Sequence, residues 1–238
     1  LHKALPTGPG YGWYIQRLKK CVDEAYDVSG GKRVILLGHS AGGWLARAAM
    51  GDGVWKMKED ATHNGSNLIE VRTLERICSL VTLGAIHHPP IDEDKCVARG
   101  ALSYTNRKYP GTFLLSEGVS YITVGGDSGL GNKSKVSKNV REIAGNPTTR
   151  RGEGSASRFA YTSYMAVSGD GELRGDGIVP LGWTQLEGAE QIILKDVIHS
   201  IQMAGTTIHT HTWYGSENVI DQWLPVVLEK SNSSRTQQ

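Results

Sequence analysis

The chain has 238 residues, a length that suits one domain. Its 26 lysines and arginines nearly balance 24 acidic residues, and a net charge of +2 argues against the one-sided basic footprint of a nucleic-acid-binding protein. Hydrophobic residues make up 39%, enough for a buried core, and no stretch approaches the roughly 20 consecutive apolar residues of a bilayer-crossing helix.

Tyr14, Ile15, Leu18, Val22, Ala25 and Tyr26 recur at helical spacing, and Ser29-Gly30-Gly31 stops the helix they predict. Val34-Ile35-Leu36-Leu37 is a short unbroken apolar run, as expected of a strand covered on both faces. The turn Gly38-His39-Ser40-Ala41-Gly42-Gly43 follows, then a helix over Trp44–Met50 closed by Gly51. Asn67 to Ile77 reads as a helix with a capping-box variant at Asn67 and Glu70. Leu80-Val81-Thr82-Leu83 is a second buried strand, Val119–Val124 a third that Gly125-Gly126 closes, and Gln191–Val197 a fourth. The last helix spans Glu217–Glu229, where Pro225 kinks or restarts it, and the polar residues 231–238 form a frayed, disordered tail. Strands alternating with helices imply an α/β domain over 1–230, a parallel sheet with helices on both faces. Residues 86–117 and 128–175 fit no strand–helix unit and read as lid-like insertions.

Gly38-His39-Ser40-Ala41-Gly42 matches G-x-S-x-G in the setting that motif needs, an apolar strand before it and a helix after it. Ser40 then occupies a sharp turn that lifts its hydroxyl clear of the sheet. Gly38 and Gly42 remove side chains where strand and helix approach. The Ala41 backbone N–H and the helix N-terminus face an oxygen that becomes negative during attack on a carbonyl.

The segment Leu36 to Arg47 resembles the lipase branch of the α/β-hydrolase superfamily, and within it the plant and algal hydrolases related to GPI inositol-deacylases. Leu83 to Pro90, Thr148 to Ser163 and Gly175-Asp176-Gly177-Ile178-Val179-Pro180 carry the same likeness, which runs from Tyr11 to Trp223. It implies an α/β-hydrolase fold, a serine nucleophile, and the chain order serine, acid, histidine.

A serine hydroxyl needs an imidazole to take its proton, and the imidazole needs a carboxylate to fix its tautomer. His199, two residues past the strand that ends at Val197, matches the family's base position; His209 and His211 are alternatives. Asp176, between two glycines and 23 residues before His199, sits where the resemblance implies the acid; Asp127 and Asp170 are rivals.

Other features read as structural. Gly126 to Ser134 approximates a phosphate loop, but Asn132 breaks its register, so no ATP site is expected. His87-His88 and His209-Thr210-His211 lack a matching ligand set, and Asp92-Glu93-Asp94 reads as a solvated face, so neither a metal nor another cofactor is expected. Lys133, Lys135 and Lys138 form a cationic stripe suited to an exposed helix face or to peripheral contact with anionic lipid. Three cysteines, Cys21, Cys78 and Cys96, cannot pair completely and read as reduced thiols, which points to an intracellular site; the resemblance to plant hydrolases implies a plastid.

Only 33 residues precede Val34, too few for the two strand–helix units that a hydrolase sheet carries there at roughly 30 residues each. The domain is therefore expected to be N-terminally incomplete, with an open edge at Val34–Leu37 and a second oxyanion donor upstream of Leu1. The expected activity is hydrolysis of carboxylic esters of lipid-like substrates by Ser40, His199 and Asp176. A ligand-binding or scaffold protein on the same fold is the alternative, as is an acyltransferase using the same three residues.

Overall fold

The computed structural model describes residues 11–51, 75–96, 98, 100–133, 153–200 and 212–236. In chain order the elements are α1 (Gly12–Val28), β1 (Val34–His39), α2 (Ala41–Ala49), β2 (Ile77–Leu83), α3 (Ala101–Lys108), β3 (Ser120–Asp127), β4 (Gly129–Leu130) and α4 (Glu153–Ser168). There follow β5 (Arg174–Gly175), β6 (Glu190–Lys195), β7 (Val197–Ile198), β8 (Thr212–Trp213) and α5 (Glu217–Thr236).

Four strands make the central sheet in the order β1-β2-β3-β6, and every neighbouring pair is parallel. All four carboxyl ends therefore lie along one edge, where parallel α/β sheets place their sites. Alternation along each strand splits the core in two. Leu36, Leu80 and Tyr121 face Val22 of α1 and Ala46 and Met50 of α2. On the other face Val81, Leu83, Ile122, Val124 and Leu194 pack against Val219, Trp223 and Val227 of α5. A third cluster joins α1, α2 and α3 through Ile15, Trp44, Leu45 and Leu102.

β2 is buried along its whole length, as a strand sandwiched between two helical layers must be. β1 departs from that expectation. Among the described residues it pairs with β2 alone, and Leu37 is 55% exposed, so a strand with one neighbour is covered less than its apolar run suggests.

Other boundaries differ for identifiable reasons. Gly125 and Gly126 do not close β3 but lie inside it. A Cβ on Gly125 would sit 2.4 Å from Thr184 Oγ1, and one on Gly126 the same distance from the Val197 carbonyl oxygen, so these glycines permit close approach and not a turn. The fourth strand is broken at Asp196, whose φ of +58° separates β6 from β7. Helix α5 is continuous through Pro225 and extends to Thr236, into the polar stretch expected to fray. Lys230 pairs with Glu190 of β6 at 2.8 Å, and the Ser231 hydroxyl donates to the Val227 carbonyl. The proposed helix from Asn67 falls outside the described residues except at its end, where Ile77 begins β2. Both insertions carry structure of their own: α3 in the first, and the β4–β5 antiparallel pair with α4 in the second.

Candidate active site

Ser40 is the single residue between β1 and α2, with φ 54° and ψ −127°. A non-glycine residue there is strained, and the fold holds it from both sides. The Ser40 N–H donates to the Leu83 carbonyl at the end of β2, and the Ser40 carbonyl accepts from Gly43 N–H. A Cβ on Gly38 would meet the Gly43 nitrogen at 2.6 Å, so strand and helix do approach as the motif requires. Gly42 does not share that role, since nothing lies within 4 Å of its Cβ position. The close packing falls on Gly43, where a Cβ would stand 2.4 Å from Ala85 Cβ. Ala41, the first residue of α2, is exposed, and an N–H at that position has no intrahelical acceptor.

Asp176 follows β5 and is completely buried. A buried carboxylate costs several kcal/mol unless its oxygens are paired, and here both are. Oδ1 accepts the backbone N–H groups of Ile178 (3.0 Å) and Val179 (2.8 Å), a tight turn that Gly177 permits with φ +94°. Oδ2 lies 2.8 Å from His199 Nδ1 and 2.9 Å from the Tyr214 hydroxyl. His199 follows β7, is 7% exposed, and its own N–H donates to the Asp176 carbonyl. The carboxylate only accepts, so the proton resides on Nδ1 and Nε2 carries the lone pair, the tautomer a general base needs. Nε2 has no hydrogen bond to a described residue, and neither has Ser40 Oγ.

His39 links the two halves. Its ring lies 4.6 Å from the His199 ring, and Nε2 sits 2.9 Å from the His199 carbonyl oxygen, which requires the proton on Nε2. Burial, then the neighbouring His199, lowers the His39 imidazole below its ordinary value, so it is a neutral donor at neutral pH.

The alternative acids are occupied elsewhere. Asp127 forms a bidentate pair with Arg174, and Asp170 accepts the Glu172 N–H. His209 and His211 lie outside the described residues, as do Lys135 and Lys138; Lys133 is exposed. His87 shares a hydrogen bond with Thr82 Oγ1, and His88 Nε2 donates to the Gln185 carbonyl. Asp92 pairs with Lys95, and Glu93 with Arg107. The glycine-rich stretch from Gly126 ends β3 and forms β4. No described helix is long and apolar enough to cross a membrane.

Sequence reasoning missed Tyr214 and the glycines that make room for it. A Cβ on Gly84 would approach Asp176 Oδ2 at 2.7 Å and the Tyr214 hydroxyl at 2.9 Å. A glycine directly after an apolar strand was the available signal; Tyr214 itself carried none.

An apolar cavity of about 100 Å³ opens beside Ala41, lined by Tyr11, Trp44, Ile86, Pro90, Leu102 and Val167. Both insertions contribute to it, the first through Ile86, Pro90 and Leu102 and the second through Val167.

No protein-family model matches the chain, and no curated protein matches it by sequence. Among solved structures it is similar to the mature form of the Bacillus licheniformis lipase BlEst2, at 16% identity and a TM-score of 0.45, over 80% of this chain and 67% of that one. The fold class rests on the molecule's own features. A parallel sheet covered on both faces, a strained serine between strand and helix, and later loops bearing an acid and a histidine together make an α/β-hydrolase fold.

Proposed function

We propose that the protein is a serine hydrolase that cleaves carboxylic esters. The observation that carries this reading is the buried Asp176–His199 pair, 2.8 Å apart, at the sheet edge where Ser40 is held in a strained turn. Ser40 Oγ attacks the acyl carbon while His199 Nε2 takes its proton. Asp176 stabilises the imidazolium that forms, and the Ala41 N–H with the α2 N-terminus stabilises the oxyanion. His199 then gives its proton to the departing alcohol, leaving an acyl group on Ser40. Water, deprotonated by His199, attacks that acyl group and restores the serine.

The acyl group has its place in the apolar cavity beside Ala41. Its volume of about 100 Å³ is far below the roughly 300–1,000 Å³ of sites for drug-sized ligands, which favours a short apolar chain on the acyl side. A lipid-like ester is supported by the motif likeness to hydrolases related to GPI inositol-deacylases.

The test is covalent labelling with a fluorophosphonate, which reacts only with an activated serine. The wild-type protein should be labelled, and Ser40→Ala should abolish labelling and ester turnover together. Labelling that survives Ser40→Ala removes Ser40 as the nucleophile. A wild-type protein that is unlabelled, yet gains thermal stability from an ester ligand, is a binding protein on a hydrolase fold.

A further inference from the structure

Asp176 Oδ2 serves two donors, and the second belongs to no part of the serine–histidine–acid arrangement. The Tyr214 hydroxyl stands 2.9 Å from that oxygen, and His199 Nδ1 2.8 Å from it. The phenol is itself fixed. It accepts the Gly126 N–H at 2.7 Å, which commits its own proton to Asp176. The residue is fully buried, and its carbonyl accepts the Trp223 indole N–H from α5. Gly84, after β2, and Gly126, in β3, leave the space the hydroxyl fills, since a Cβ at either would lie within about 3 Å of it. Gly84, Gly126 and Asp176, from three separate parts of the chain, thus converge on one hydroxyl, whose proton goes to the carboxylate.

We infer that Tyr214 is a positioning residue of this site: its hydroxyl competes with His199 for Asp176 Oδ2 and so sets how tightly the carboxylate grips the imidazole. Two donors to one oxygen share its electron density, and each bond weakens the other. The backbone N–H groups of Ile178 and Val179 hold only Oδ1. Tyr214 supplies the matching hold on Oδ2, which keeps the carboxylate plane aligned when His199 becomes charged. Burial, with Asp176 beside it, pushes the phenol well above its usual value of 10, so it remains a donor throughout the working pH range.

This inference rests on the hydrolase reading, and the test separates the two. Proton NMR of the His199 Nδ1 proton reads the Asp176–His199 bond without substrate. Tyr214→Phe removes the competing donor, so this resonance should move downfield. Incorporation of 3-fluorotyrosine at 214 keeps both hydrogen bonds but donates more strongly, so the resonance should move upfield. The same Tyr214→Phe variant should lose about tenfold in kcat with KM unchanged, the scale of one charge-assisted hydrogen bond. An unmoved resonance in both variants overturns the inference, as does a Tyr214→Phe protein with lower Tm but wild-type kcat. Should Tyr214→Phe fail to fold, the fluorotyrosine protein decides by its shift. Failure of the hydrolase reading shows differently, as labelling that persists in Ser40→Ala, and leaves the NMR comparison intact.

Discussion

The acid loop and the nucleophile turn sit at the same sheet edge and are built in opposite ways. Asp176 is fully buried and accepts four hydrogen bonds, two on each oxygen, from Ile178, Val179, His199 and Tyr214. Ser40 is partly exposed, strained at φ 54°, and its hydroxyl bonds to no described residue. One half is locked by satisfied polar groups, and the other by backbone geometry, with its hydroxyl unbonded among the described residues. The division suits nucleophilic catalysis. Charge that persists throughout the cycle needs fixed partners, whereas the attacking oxygen must change partners at each step.

The sharpest way to break this contrast is to spoil the acid half alone. Asp176→Asn keeps the volume and the acceptor facing Ile178 and Val179. Its amide NH2 then faces His199 Nδ1 and the Tyr214 hydroxyl, donor against donor, and the imidazole must move its proton to Nε2. An imidazole whose Nε2 carries the proton has no lone pair there to act as a base. We expect kcat to fall about 10⁴-fold with the fold retained, measured by ester turnover beside circular dichroism. A loss below tenfold would mean that Asp176 does not orient the base.

A smaller effect probes the other half. Two adjacent glycines follow Ser40, and sequence alone assigned the close packing to the wrong one. Gly43→Ala forces a Cβ into Ala85 and Thr82 side chains, 2.4 and 3.0 Å away, and should cost about 1–3 kcal/mol in urea unfolding. Gly42→Ala meets nothing within 4 Å and should gain up to about 1 kcal/mol from helix propensity. Equal effects at the two positions would show that the elbow is packed differently.

These two glycines also show where legibility in the sequence ended. The strand–serine–helix turn was readable because its cause is local: Leu36 and Leu37 precede it, a helix-forming run follows, and Gly38 fits the crossing. Asp176 and His199 were singled out by flanking turns and by the chain order that the resemblance implies, and their side chains meet at 2.8 Å. Gly125 and Gly126 were misread as a strand stop, because their reason lies at Thr184 and Val197, contacts that no local window contains. Tyr214 was invisible for the same cause, standing 38 residues from Asp176 and meeting it only after the sheet and α5 are assembled. Local patterns located the candidate groups, and long-range packing supplied what holds them.

The smallest effect expected is a pH dependence of stability, and its sign follows from the histidines around the site. His87 is completely buried, and burial followed by the nearby Arg47 holds its imidazole well below the ordinary 6.5. His39 and His88 are lowered as well, chiefly by burial. In each case the unfolded chain takes up a proton first. Between 6.5 and the lower folded-state values the unfolded form therefore binds more protons, and stability rises with pH through that window. Acidifying from pH 7 towards 5 should lower Tm before the ordinary carboxylates, near 4, begin to titrate. His87→Gln retains a polar partner for Thr82 without a titrating ring and should flatten the slope, whereas His88→Gln, at a less buried position, should flatten it less. A Tm that holds constant from pH 7 to 5 would mean that these rings are protonated in the folded protein, which the His39 donor bond to His199 tolerates but the buried site of His87 does not.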